Sequence, residues 1–125
     1  MANSADYLAY LRELMRHGGV ATTSRAMFGG HGLYADGVFF AIVDDDVLYL
    51  RVDAQNRAEF EALGCTPFEY STKEGAHHAM SYLSAPDEAL ERPDAMGRWA
   101  RSSLGAALRA AAAAKKPKGA KKARR

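Results

Sequence analysis

Residues 25–43, RAMFGGHGLYADGVFFAIV, constrain this chain more than any other stretch, because they combine its strongest strand signal with its densest cluster of glycines. Within them, Ala35-Asp36-Gly37 supplies the Asp-Gly pair that tolerates positive φ in a tight type I′ turn, so a β-hairpin is predicted there. Leu33 and Tyr34 lead into the turn and Val38 to Val43 lead out of it. In Val38-Phe39-Phe40-Ala41-Ile42-Val43 both alternating sets are apolar. That pattern predicts a central strand, covered by helices on one face and partly covered on the other. Gly29, Gly30 and Gly32 weaken a strand interior, which implies a bulge, a sharp corner or the close approach of another backbone.

The flanking segments read as alternating helix and strand. Ser4 is placed to cap a first helix, with Asp6 in its first turn and Tyr7, Leu8, Leu11, Leu14 and Met15 on one stripe, and Gly18 ends it. Gly19 to Ser24 reads as a connector. After Val43, the run Asp44-Asp45-Asp46 marks a hairpin turn. Val47 to Val52 then alternates Leu48, Leu50 and Val52 against Val47, Tyr49 and Arg51, as a half-buried antiparallel strand does. Asp53 is the expected N-cap of a helix over Ala54 to Leu63 that turns Phe60 and Leu63 inward and stops at Gly64. Pro67 to Thr72 is read as a strand with Phe68 and Tyr70 on one face, joined through Lys73-Glu74-Gly75 to a strand from His77 to Leu83.

Pro86-Asp87-Glu88 and Pro93-Asp94 are two helix starts. The second opens a long helix whose stripe is Met96, Trp99, Ala100, Ser103, Leu104, Ala107 and Leu108. Gly97 and Gly105 within it each cost about 1 kcal/mol relative to alanine, which suggests close packing at both. The architecture expected is α+β in a single domain. It has an antiparallel sheet of about five to six strands, an N-terminal helix, a middle helix and a long C-terminal helix.

A chain of 125 residues holds one core of useful size rather than two lobes. A single cysteine, Cys65, rules out an internal disulfide framework and a multi-cysteine zinc site. With no secretory signal or membrane-length apolar run in view, a cytoplasmic setting is expected. The formal charge of +2 hides a division. Lys115, Lys116, Lys118, Lys121, Lys122, Arg124 and Arg125 form an acid-free terminal cluster, leaving ten basic against fifteen acidic residues in the remainder. Residues 1–113 are therefore expected to form the domain and 114–125 a solvated basic arm, because Pro117 and Gly119 among like charges interrupt any helix.

Four blocks carry a family resemblance: Arg25-Ala26-Met27-Phe28-Gly29-Gly30-His31-Gly32-Leu33-Tyr34, Leu48-Tyr49-Leu50-Arg51-Val52-Asp53, Pro67-Phe68-Glu69-Tyr70 and Met80-Ser81-Tyr82. Together they resemble the N-terminal domain of the TfoX/Sxy family, over nearly the whole folded part. The resemblance implies a bacterial cytoplasmic protein related to regulators of natural competence, which act with a cyclic-AMP-responsive activator on transcription. It implies an antiparallel sheet with helices against it, arranged as in secretion chaperones. Full regulators of this family carry a second, helical C-terminal domain, whereas here a Lys/Ala arm follows the first.

No residue pattern points to catalysis. Gly29-Gly30-His31-Gly32 has neither the following Lys-Ser/Thr of a phosphate loop nor a strand-to-helix transition, so a structural corner is the expectation. His31, His77 and His78 with Asp36 or Glu74 resemble a metal or acid–base cluster, but adjacent strand residues face opposite ways. Asp44-Asp45-Asp46 lacks EF-hand spacing. Ser81 and Cys65 lie in no nucleophile motif. No cofactor or metal is expected, and the chain is read as a non-enzyme.

The candidate partner-binding residues are Arg25, Met27, Phe28, Tyr34, Met80 and Tyr82. Met27, Phe28, Met80, Tyr82 and Trp99 read as core or interface groups, and an exposed patch of them points to a protein partner or a homodimer. Arg25 is expected to pair with an acidic neighbour or a partner's carboxylate.

The leading functional expectation is a regulatory interaction module, with weak, sequence-independent DNA contact by the arm. Two alternatives are an accessory nucleic-acid-binding protein acting through the arm and a ligand-binding domain or enzyme centred on Gly29 to Gly32.

Overall fold

The computed structural model describes residues 5–27 and 30–115. Helix α1 (Ala5–His17) precedes strands β1 (Thr23–Met27), β2 (Gly30–Ala35), β3 (Val38–Asp44) and β4 (Val47–Arg51). Helix α2 (Arg57–Ala62), strands β5 (Pro67–Thr72) and β6 (Gly75–Ser84), a 3-10 turn at Asp87–Leu90 and helix α3 (Pro93–Lys115) follow. The six strands form one antiparallel sheet in the order β1-β2-β3-β4-β6-β5, so β3 is central as expected. This is an α+β single domain.

Two hairpin turns form where aspartate and glycine take left-handed backbone angles. Ala35 pairs with Val38 across Asp36 (φ 51°) and Gly37 (φ 77°), and Asp44 pairs with Val47 across Asp45 (φ 52°) and Asp46 (φ 59°). Two positive φ values in succession give the local twist that matches paired strands. The second turn does without glycine because aspartate tolerates this region better than most residues.

The glycine block is no bend in one continuous ribbon. β1 and β2 are antiparallel neighbours with Met27 opposite Gly30, so the chain reverses between them, and Phe28 and Gly29 lie outside the described residues. Gly30 marks a close backbone approach, since a Cβ there would press against the Val43 carbonyl oxygen. The bulge lies three residues further on, between Leu33 and Tyr34. Leu33 pairs with Ala41 and Tyr34 with Phe39, leaving Phe40 as the extra residue on β3. Phe40 and Ala41 both reach the core between sheet and helices as a result, while Phe39 and Ile42 face away from it.

Helices α1 and α3 lie together on one face of the sheet, over Leu33, Phe40, Val43, Leu48, Leu50 and Leu83. Leu11, Leu14 and Met15 of α1 and Met96, Trp99, Ala100 and Ala107 of α3 complete this core, and the Phe60 and Trp99 rings meet edge to face at 4.9 Å. The two helices touch backbone to backbone where Gly97 crosses Gly18, the residue that ends α1. A Cβ on Gly18 would stand 2.8 Å from Gly97 Cα. Gly105 has no such neighbour, its nearest being the Arg109 side chain at 3.5 Å, so only one of the two helix glycines marks close packing.

Several boundaries and faces differ from the sequence reading. Thr23 and Ser24 belong to β1, paired with Tyr34 and Leu33, because the backbone of β2 needed a partner on that side. The middle helix begins only at Arg57, after an Asp53-led turn in which the carboxylate accepts the backbone N–H groups of Gln55 and Asn56. Leu63 is 57 % exposed rather than core, because the chain leaves α2 at that residue for the left-handed Gly64 (φ 75°). Leu108 is 48 % exposed, since it stands off the stripe of α3 that buries its neighbours Ala106 and Ala107.

Polar groups tie the end of β4 to α3. The Arg51 carbonyl accepts Ser103 Oγ at 2.6 Å and Asn56 Nδ2 at 3.3 Å, and Asn56 Nδ2 also reaches Ser102 Oγ at 3.1 Å. Arg109 Nε and Nη2 grip both carboxylate oxygens of Asp53 at 2.6 and 2.9 Å. That guanidinium holds the Asp53 carboxyl down to about 2, with partial desolvation opposing it and the Gln55 and Asn56 amides assisting.

Two outcomes follow for the scaffold. Gly97→Ala destabilises the fold by about 1–3 kcal/mol through overpacking against Gly18, whereas Gly105→Ala stabilises it by up to about 1 kcal/mol through helix propensity, both read from chemical denaturation. Because the Asp53 carboxyl is depressed in the folded state, its ion pair contributes fully above about pH 4 and is lost as pH falls towards about 2. Arg109→Ala therefore lowers the denaturation midpoint at neutral pH, and its difference from the unsubstituted chain closes between those two pH values.

Candidate interaction face

With both long helices on one side, the opposite face of the sheet is left to its own side chains. Its centre is Ile42, Phe68 and Tyr82, closed in by Phe39, Tyr49 and Ala79. These residues come from β3, β4, β5 and β6. A second irregularity makes the grouping work: between Pro67 and Phe68 the register slips, so that Pro67 pairs with Leu83 and Phe68 with Ala79. The extra residues of β6 let both Ala79 and Tyr82 meet Phe68, which strict alternation along the strand would prevent.

Aromatic rings run across the whole face. Tyr34 and Phe39 lie 5.2 Å apart, Phe39 and Tyr82 5.7 Å, Tyr49 and Phe68 5.0 Å, Phe68 and Tyr70 6.0 Å, and Tyr70 and the His77 ring 5.4 Å. Such offset pairs add about 0.5–1.5 kcal/mol each beyond the area they bury. Phe39, Ile42, Phe68, Tyr70, Ala79 and Tyr82 enclose an apolar groove of about 280 Å³. Next to it, Gly32 leaves a gap that the Met27 thioether and the Phe39 ring fill, each within 3 Å of where a Cβ would stand.

Two arginines border the rings. The Arg25 guanidinium lies 5.8 Å over Tyr34, and that of Arg51 lies 5.4 Å over Tyr82 with Nη1 donating to the Tyr82 hydroxyl at 3.4 Å. Arg25 thus rests on a ring face of its own chain. Burial pushes the Tyr82 phenol up while Arg51 opposes the shift. The Tyr49 phenol is also raised, first by burial and then by Asp44, Asp45 and Glu69.

Of the predicted contact residues, Arg25, Met27, Tyr34 and Tyr82 come together on this face. Met80 is 54 % exposed but does not line the groove, and its carbonyl accepts the Arg57 guanidinium. Phe28 lies outside the described residues, as do Lys116, Lys118, Lys121, Lys122, Arg124 and Arg125, while Lys115 is the last residue of α3. Phe39, Ile42, Tyr49, Phe68 and Tyr70 share this face without belonging to the contact set expected from the sequence. The pairing of Phe68 with Tyr70 was visible in the spacing, but which side of the sheet would lack helices was not.

The other hollows suit chemistry less well. One of about 390 Å³ lies past the end of α2, between Leu63, Cys65, Ser84 and Asp87, where burial pushes the Cys65 thiol up and so away from the reactive thiolate. Among the described residues, no three His, Cys, Asp or Glu side chains are grouped to hold a metal ion, and no helix is long and apolar enough to cross a membrane.

A six-stranded sheet with helices against one face and an aromatic opposite face is the setting in which the comparisons with known proteins fall. Residues 13–107 match the family model of the TfoX N-terminal domain, and the chain belongs to that family. A stretch of 49 residues, 39 % of the chain, is 43 % identical to the DNA transformation protein TfoX1 of Aliivibrio fischeri (strain ATCC 700601 / ES114). That match spans only 23 % of the relative's length.

The bulge that separates Phe40 from Phe39 is open to a direct check. Phe40→Ala costs about 3–5 kcal/mol in chemical denaturation, as for a fully enclosed ring, and Phe39→Ala distinctly less.

Proposed function

We propose that this chain is a non-enzymatic regulatory module that acts in competence for DNA uptake through protein contacts, with nonspecific DNA affinity supplied by its basic arm. The observation that carries this reading is the aromatic face left open among the described residues, which gathers Arg25, Met27 and Tyr34 from β1 and β2 with Tyr82 from the distant β6. Membership of the TfoX N-terminal family and similarity to a protein named for DNA transformation give the regulatory setting. The setting is cytoplasmic in this reading, and the partner belongs to the transcription machinery or its activators.

Charge favours a protein over a nucleic acid as the main occupant of the face. Outside the terminal cluster the chain carries ten basic against fifteen acidic residues, which opposes close approach of a phosphate backbone. A ligand site at the glycine block is less well supported, because the spaces beside Gly30 and Gly32 are occupied by the Val43 carbonyl, Met27 and Phe39. The arm, with seven cations and no acid, remains suited to sequence-independent contact whose affinity falls with salt at a logarithmic slope near about −6.

The test is genetic complementation. A strain of the source bacterium lacking this chain is expected to lose expression of competence genes and uptake of marked DNA. The intact gene restores both, a Phe39→Asp variant that still folds does not, and a chain truncated before Lys115 restores them only in part. Unchanged uptake in the deletion strain would overturn the reading.

A further inference from the structure

We propose that the open sheet face seats a second copy of this chain, stacked face to face about a two-fold axis that runs across the strands. This deepens the reading of the face as a protein-contact surface, and rests on it, by naming the protein.

The floor of the face is apolar and uncovered. No helix among the described residues lies over Ile42, Phe68 and Tyr82 or the rings around them. Its charges are divided along the strand direction. Arg51, over Tyr82, is at one end, and Arg25, whose backbone is level with Ile42 through Gly32, leans towards that end over Tyr34. At the other is Asp44, whose Oδ1 would lie 3.1 Å from a Cβ on Gly30 and whose charge acts on Tyr49.

Within the described residues most arginines have a carboxylate: Arg16 has Glu13, Arg57 has Glu61, Arg92 has Asp94, Arg98 has Glu88 and Arg109 has Asp53. Arg12 and Arg101 donate to backbone carbonyls instead, and Arg25 and Arg51 lie over ring faces. Arg51 Nε is moreover enclosed without a hydrogen-bond partner among the described residues. Nε itself is out of reach of a second chain, but a half-buried guanidinium without an anion is costly, and a carboxylate brought to its Nη edge offsets that cost.

The geometry supplies one. Asp44 is paired with Val47, and Arg51 lies four residues further along β4, about 13 Å away at strand spacing. Ile42 and Tyr49, paired with each other, lie between these ends. Rotation about an axis crossing the strands at that level exchanges the ends. Asp44 of the second copy then enters between Arg25 and Arg51 of the first, and the reverse pairing forms by symmetry, as an isologous contact requires. The sheets stack about 10 Å apart with strands nearly aligned, the usual arrangement of two apolar sheet faces. A single-stranded nucleic acid would find rings and arginines here but would bring phosphates to Asp44. A second copy meets each end with the opposite charge.

The experiment is sedimentation equilibrium on the full chain. Expected is a dimer at micromolar concentration that weakens as salt rises. Arg25→Glu/Arg51→Glu and Asp44→Arg, each separately, shift the equilibrium towards monomer by at least about tenfold. An equimolar mixture of the two variants recovers the dimer, since each then supplies the charge the other lacks. A monomeric unsubstituted chain, variants that dimerise as well as it does, or a mixture that stays monomeric would each overturn the proposal. So would a monomer that binds an oligodeoxythymidine or an acidic peptide on this face.

Should circular dichroism show either variant unfolded, Tyr49→Cys combined with Cys65→Ser decides. It joins two copies through a short bis-maleimide, whose reach suits thiols on sheets stacked about 10 Å apart, if the axis passes near Tyr49, and absence of the cross-link refutes the arrangement. These readouts come from the purified chain, so the dimer stands or falls separately from the competence phenotype.

Discussion

The backbone contact between Gly18 and Gly97 is the constraint on which the rest of the structure depends. It brings the end of α1 against the first turns of α3 so closely that neither position has room for a side chain. The helices are thereby held side by side, and the cover that each gives to the sheet falls on the same face. Their joint stripe of Leu11, Met15, Met96, Trp99 and Ala100 meets Phe40, Val43, Leu48 and Leu50, and that layer holds most of the enclosed apolar side chains. The short α2 adds Phe60 to the same core. The other face has to satisfy its apolar residues by a different route.

That route is aromatic packing within the sheet. Rings are broad enough to touch across neighbouring strands, so Phe39, Tyr82, Phe68 and Tyr49 shield Ile42 and one another without a second layer. The two register shifts matter as much as the rings. One places Phe40 in the helix-facing core and Phe39 on the open face; the other lets Ala79 and Tyr82 share Phe68. Both faces of the sheet are therefore apolar, and among the described residues helices cover only one.

Much of the architecture is legible in the sequence because it rests on local chemistry. The Asp36-Gly37 and Asp45-Asp46 turns, the end of α1 at Gly18 and the apolar stripes of α1 and α3 each follow from preferences of a few adjacent residues. Arg25, Met27, Tyr34 and Tyr82, four of the six residues proposed for contact, lie on one surface, with Arg25 over the Tyr34 ring. Local reasoning failed where a partner distant in sequence decided the outcome. Thr23 and Ser24 look like turn residues until the free edge of β2 recruits them, and Asp53 looks like a simple cap until Arg109, 56 residues later, closes on it.

The sequence by itself determined the strands, the two tight hairpin turns, the helical stripes and the family, because turn chemistry, alternation and the motif blocks are properties of contiguous residues. Only the tertiary structure decided which face of each strand is covered and which rings share a groove. Register is a relation between strands, and one extra residue at Phe40 reverses the side on which its neighbours stand. Composition and periodicity carry no record of that choice, which is made when the sheet pairs and the two helices settle together on one of its faces.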